Sequence, residues 1–144
     1  MRYRLLCEDN QIQSEILLEK DLEFPRIDDR LDGLNYRYLY MTWNEGDHQG
    51  LIKFDTKTRQ FQTWHQPGCQ ALEPIFVPRA CANNEDDGVI LTVVYDEEKN
   101  RSFLLALDGQ SFEEIARADL PWRIPGSFHG QFFSESYFMP SIAL

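Results

Sequence analysis

Chemistry at neutral pH needs side chains that hold a metal, move a proton or attack an electrophile, and this chain carries few. It has three histidines, His48, His65 and His129, and three cysteines, Cys7, Cys69 and Cys81. No two histidines have HxH or HxxxH spacing, and no cysteine falls in a CxxC or a Cys/His pair with zinc spacing. A GxSxG elbow, a P-loop and a GxGxxG fingerprint are all absent, so nucleophilic and nucleotide chemistry find no support. His48 sits in the polar turn Glu45-Gly46-Asp47-His48-Gln49-Gly50. His65 ends a strand-like run before Gln66-Pro67-Gly68. Both read as surface residues without a role.

His129 differs. It stands among Phe128, Gly130, Phe132 and Phe133, directly after the sharp Ile124-Pro125-Gly126 turn. An imidazole buried among aromatics needs a partner for each ring nitrogen. A metal on one and a carboxylate on the other would supply both, and carboxylates commonly orient metal-bound histidines in this way. The acidic residues in apolar settings are Glu73, opening EPIFVPR, and Glu23, opening EFPRID; each lies beside a proline that holds the chain extended. On residue physics alone, the more ordinary reading of both is a solvated strand end paired with Arg26 or Arg79. The cluster Glu85-Asp86-Asp87-Gly88 lacks the alternating ligand spacing of a calcium loop and reads as a solvated turn leading into a strand.

The elements that would position these residues are strands. Short runs rich in Tyr, Phe, Ile, Val and Leu alternate with Gly, Pro, Asn and Asp clusters, which predicts strands near 2–7, 12–18, 36–43, 50–55, 60–65, 74–77, 88–95, 102–107, 112–118 and 128–133. Polar Thr56-Lys57-Thr58-Arg59 and Glu97-Glu98-Lys99-Asn100 each join two such runs as a hairpin. GVILTVVYD is nearly continuous in apolar residues and reads as an inner strand covered on both faces. The class is all-β, a sandwich or propeller blades, with no repeat of fixed period.

Composition bounds the partners. With 24 acidic against 14 basic residues the formal charge is -10, which disfavours nucleic acid and anionic lipid. The 144 residues are 42% hydrophobic, ample for a folded segment. Odd cysteine usage, no secretory leader and no apolar run of about 20 residues predict an intracellular protein, cytoplasmic or plastid, not secreted and without a transmembrane segment.

Taken in order, RYRL, LEFPRID, NYRYLYM, LIKFDTKT, EPIFVPRA, EDDGVILTVVYD, SFLLALD, FEEIARADLP and IPGSFHGQF resemble the carotenoid cleavage oxygenases, a family that includes lignostilbene dioxygenases and a retinal isomerohydrolase. The resemblance covers nearly the whole chain. It implies a seven-bladed β-propeller with antiparallel four-stranded blades, of which this chain would supply the C-terminal blades as an incomplete ring, residues 1–144 forming part of one domain. It further implies iron(II) held by four histidines, His129 being the last of them, with Glu73 and Glu23 as glutamates that accept from the ring N–H of ligating histidines. The first three ligands would lie upstream of LEFPRID.

The implied reaction uses O2 to split a conjugated C=C bond of a carotenoid, apocarotenoid or stilbene into carbonyl products. Chemistry would belong to the longer parent, the isolated 144 residues being inactive and prone to aggregate, with any peripheral membrane contact lying in the missing regions. Two other readings stand beside it: isomerohydrolase chemistry on the same iron, and a non-catalytic β module that binds a partner through an open sheet edge. Leu72 departs from the Gly that many relatives have before EP, and the tail from Ser134 to Leu144 runs past the usual end.

Overall fold

In the computed structural model, which describes residues 1–46, 48–126 and 129–134, the chain is all-β and every strand pairing is antiparallel. A hairpin of β1 (Arg2–Leu6) and β2 (Gln11–Glu15) opens it. A four-stranded meander follows, β3 (Asp21–Arg26), β4 (Tyr38–Glu45), β5 (His48–Asp55) and β6 (Phe61–His65), paired in chain order. The third sheet holds β7 (Cys69–Ala71), β8 (Ile75–Pro78), β9 (Gly88–Asp96), β10 (Arg101–Asp108) and β11 (Glu114–Asp119). The sheets do not close on one another, as in part of a propeller ring.

β7 and β8 are two pieces of one edge. β7 pairs with the Val94–Asp96 end of β9 and β8 with its Gly88–Leu91 end, so the third sheet also counts four strands across. The break falls at Leu72-Glu73-Pro74. Pro74 has no N–H to give the ladder, while the Leu72 amide donates to the Val93 carbonyl at 2.9 Å and Thr92 Oγ1 donates to the Leu72 carbonyl at 2.8 Å. Glu73 is thereby turned out of the strand line. β3 is irregular at the corresponding place: its register against β4 shifts between Glu23 and Arg26, and Phe24 takes a left-handed φ of 51°. A bulge of this kind re-aims the side chains around it.

The two meanders also share a turn. Asp55 ends β5 and accepts from the Lys57 and Thr58 amides, and Asp108 ends β10 and accepts from the Gln110 and Ser111 amides. In both, the residue four places after the aspartate, Arg59 or Phe112, has a φ near 60° and donates its amide to the aspartate carbonyl. Side-chain capping by Asp lets the backbone make so tight a reversal.

The main core lies between the meanders, where Tyr40 and Leu51 meet Cys69, Phe76, Ile90, Val94, Phe103, Leu105 and Phe112. Each large side chain so buried contributes about 1.5–3 kcal/mol. The opposite face of β4 and β5 buries Leu39, Met41, Ile52 and Phe54 under Leu17, Leu18 and Leu22. A buried cation crosses between the meanders: Lys53 of β5 donates to Asp86 Oδ2 at 2.7 Å and to the Gly109 and Gln110 carbonyls at 2.6 and 3.0 Å, under the Tyr38 ring.

That cation corrects the reading of 85–88 as a solvated turn. Asp86 is buried against Lys53, and Glu85 caps the Arg37 and Tyr38 amides at 2.7 and 2.8 Å. A turn made of charges is bound here by donors that are distant in sequence. β9 is indeed interior to its sheet, but its faces are unequal: residues from Gly88 to Asp96 alternate strictly between buried and half-buried. The strands of 21–26 and 69–71 escape pattern reading because one holds Pro25 and a bulge and the other is three residues long. The strand expected over 128–133 does not form at 129–133; Phe128 lies outside the described residues, as does the chain from 135.

Candidate metal centre

The break between β7 and β8 delivers the Glu73 carboxylate to the segment after β11. Its side chain is 5% exposed. Oε1 accepts from His129 Nδ1 at 3.3 Å and, more distantly, from an Arg26 guanidinium nitrogen at 3.5 Å, while Oε2 accepts from the Gly130 amide at 2.8 Å. A buried carboxylate with three donors is satisfied. With Nδ1 facing the Glu73 carboxylate, the ring carries its proton on Nδ1.

The imidazole is placed by β3 as well. Phe24, aimed by its left-handed backbone, meets the ring edge to face with centroids 6.0 Å apart and planes at 88°. Leu72, Ile75, Leu91, Val93, Ile124 and Phe132 line an apolar cavity of about 420 Å³ that also reaches His129 and Glu73.

The histidine is not enclosed as its aromatic neighbours suggested. Its side chain is 77% exposed, and Phe132 and Phe133 are each 46% exposed. The physical reason is that residues 129–134 pair with no strand, so the ring is packed on one side, by Glu73 and the β3 bulge, and is not enclosed in a sheet. Glu23 is exposed on β3, its carbonyl accepting from Thr42 Oγ1 at 3.2 Å. The structure thus brings Glu73 to His129, and Glu23 onto the strand that carries Phe24 and Arg26.

Of the ordinary ion pairs expected, Arg26 does reach Glu73, whereas Arg79 turns to Asp87 and Asp108. His65 is half-buried rather than exposed, its Nδ1 2.9 Å from the Gln49 carbonyl and its ring against Trp43. Sequence reasoning missed Phe24 and Gln131; the Phe24-Pro25 pair was the available sign of an irregular backbone. Among the described residues no three His, Cys, Asp or Glu side chains converge as a metal site; His129 and Glu73 meet as a pair.

Residues 1–134 match the family model of the retinal pigment epithelial membrane protein. The human mitochondrial carotenoid-cleaving dioxygenase is 40% identical over 129 residues, covering 86% of this chain and 22% of that protein. A chloroplastic carotenoid cleavage dioxygenase of Arabidopsis thaliana is 43% identical over 101 residues, 68% of this chain and 18% of that one. The solved structure of cobalt-substituted Synechocystis apocarotenoid oxygenase superposes with a TM-score of 0.82 at 28% identity, over 90% of this chain and 29% of that one. The chain belongs to the carotenoid cleavage oxygenase family, whose solved members are β-propellers. It spans about a quarter or less of the length of the curated relatives it matches.

Proposed function

We propose that this chain is the C-terminal part of a single propeller domain in a carotenoid cleavage dioxygenase, and that it supplies the last of four histidine ligands to a non-haem iron(II). The observation that carries the reading is the buried Glu73 carboxylate on His129 Nδ1, in a segment matched by the family model. Iron(II), when bound, supplies the capacity to bind and activate O2. The residues of this chain hold and orient: Glu73 fixes the imidazole tautomer and direction, and Glu23 braces a further ligand outside these residues.

The apolar cavity beside His129 would help align a carotenoid or apocarotenoid, and a stilbene is the other substrate class the family admits. Relatives assigned to mitochondria and chloroplasts make an organelle or cytoplasm the expected setting. No helix among the described residues is long and apolar enough to cross a membrane.

The test is a full-length parent protein with His129→Ala. Iron content should fall and cleavage of an apocarotenoid to two carbonyl products should stop; retained iron with full cleavage refutes the assignment. Isotopically labelled O2 separates the alternatives, because a dioxygenase puts label into the carbonyl products and an isomerohydrolase puts it in neither.

A further inference from the structure

We infer that Arg26 is a positioning residue for this site: it clamps the segment carrying His129 to the β3 bulge. The inference rests on the metal reading above and deepens it. Residues 129–134 make no sheet pairing, so side-chain contacts must set where the imidazole points. Arg26 supplies them from β3, with its side chain 21% exposed. One guanidinium nitrogen donates to Glu73 Oε1 at 3.5 Å; the other donates to Gln131 Oε1 at 2.9 Å and lies 3.6 Å from Asp29 Oδ1.

Gln131 closes the clamp by donating its amide Nε2 to Asp29 Oδ2 at 3.1 Å. Asp29 belongs to the short 3-10 turn Asp29–Leu31 that follows β3. The His129 segment is therefore tied at three successive positions: the imidazole and the Gly130 amide by Glu73, and the Gln131 side chain by Arg26 and Asp29. A guanidinium suits the place because its planar fork addresses two acceptors in fixed directions, here Glu73 and Gln131, whereas an ammonium is a single point of charge. The bulge between Glu23 and Arg26 puts Phe24 and Arg26 on the same imidazole segment. Arg26 touches neither metal nor substrate in this role; it acts through Glu73 and Gln131.

The experiment measures metal release, not turnover. Full-length protein is loaded with iron(II) or, in parallel, cobalt(II); loss of iron to a chelator is followed, and the cobalt absorption bands report ligand geometry. Arg26→Ala should release metal on the order of 10–100-fold faster with altered cobalt bands, the scale for removing an outer partner of a metal ligand. Arg26→Lys should recover part of the loss. Gln131→Ala, at an exposed position, should speed release several-fold and decides the matter if Arg26→Ala does not fold. Arg79→Ala, whose arginine pairs with Asp87 and Asp108, is the control and should release metal at the parental rate.

Parental release rates and unchanged cobalt bands in Arg26→Ala and Gln131→Ala would overturn the clamp, as would equal effects from Arg79→Ala. His129→Ala distinguishes the two levels. If that variant keeps its metal the site reading fails; if it loses metal while the Arg26 and Gln131 variants do not, the clamp alone fails.

Discussion

The two meanders, β3 to β6 and β7 to β11, are built to one plan and put it to different use. Each begins with an edge strand broken beside a proline, and each break carries a glutamate, Glu23 or Glu73. Each closes its last hairpin with an aspartate that caps a left-handed reversal, Asp55 or Asp108. Yet Glu73 is buried under three donors while Glu23 is exposed. The local break turns a carboxylate out of the ladder; what that carboxylate does is decided by the segment laid across it.

The sharpest way to break the comparison is to cut the link between the meanders. Lys53→Ala leaves Asp86 and two carbonyls without their cation, and removing one partner of a buried ion pair costs about 3–5 kcal/mol. Urea unfolding of the full-length protein should show a drop of that size; an unchanged midpoint would mean the sheets are held by apolar packing alone. Next come the glycines at close approaches. A Cβ on Gly88 would meet the Val77 carbonyl at 2.5 Å and the Phe76 ring at 2.6 Å, and one on Gly50 would strike the Trp64 carbonyl. Gly88→Ala and Gly50→Ala should each cost about 1–3 kcal/mol, read as a lowered Tm.

The glutamates test the difference directly. Glu73→Gln should lower stability by about 1–3 kcal/mol, because the buried carboxylate loses its charge-assisted bonds, while Glu23→Gln should stay within about 0.5 kcal/mol. Equal effects would mean that burial in this chain does not set their roles.

The smallest effect concerns acid. The Arg37 guanidinium, followed by the turn amides, holds the Asp55 carboxyl well below the usual range; at Asp108 the Ser111 amide is the main cause. A carboxyl lowered by folding contributes stability in full above its ordinary value and loses it as pH falls through the depressed one, so both turns should weaken only on the acid side. Arg37→Ala should return Asp55 toward the ordinary range in an NMR titration and leave Asp108 unmoved. Added salt should weaken the Asp55 effect more, since Arg37 is 43% exposed.

Much of this was legible in advance. Hairpins at 56–59 and 97–100 declared themselves through polar turns between apolar runs, and GVILTVVYD announced an interior strand. The repeat of the two meanders was hidden because its spacing drifts: 50 residues separate Glu23 from Glu73, but 53 separate Asp55 from Asp108. The Glu73 to His129 contact spans 56 positions and depends on a strand break, which no local pattern encodes. Charges misled for the same reason: Asp86 resembles any solvated turn residue until Lys53, 33 positions earlier, is brought to it by the packing of two sheets.

That ammonium has a further consequence. Apolar side chains tolerate small sliding between layers, but a cation shared by one carboxylate and two carbonyls does not, because each acceptor fixes a direction as well as a distance. Lys53 therefore pins the tilt between neighbouring meanders at a single point. The bulge bearing Phe24 and the break bearing Glu73 lie one on each of the two meanders that this ammonium joins.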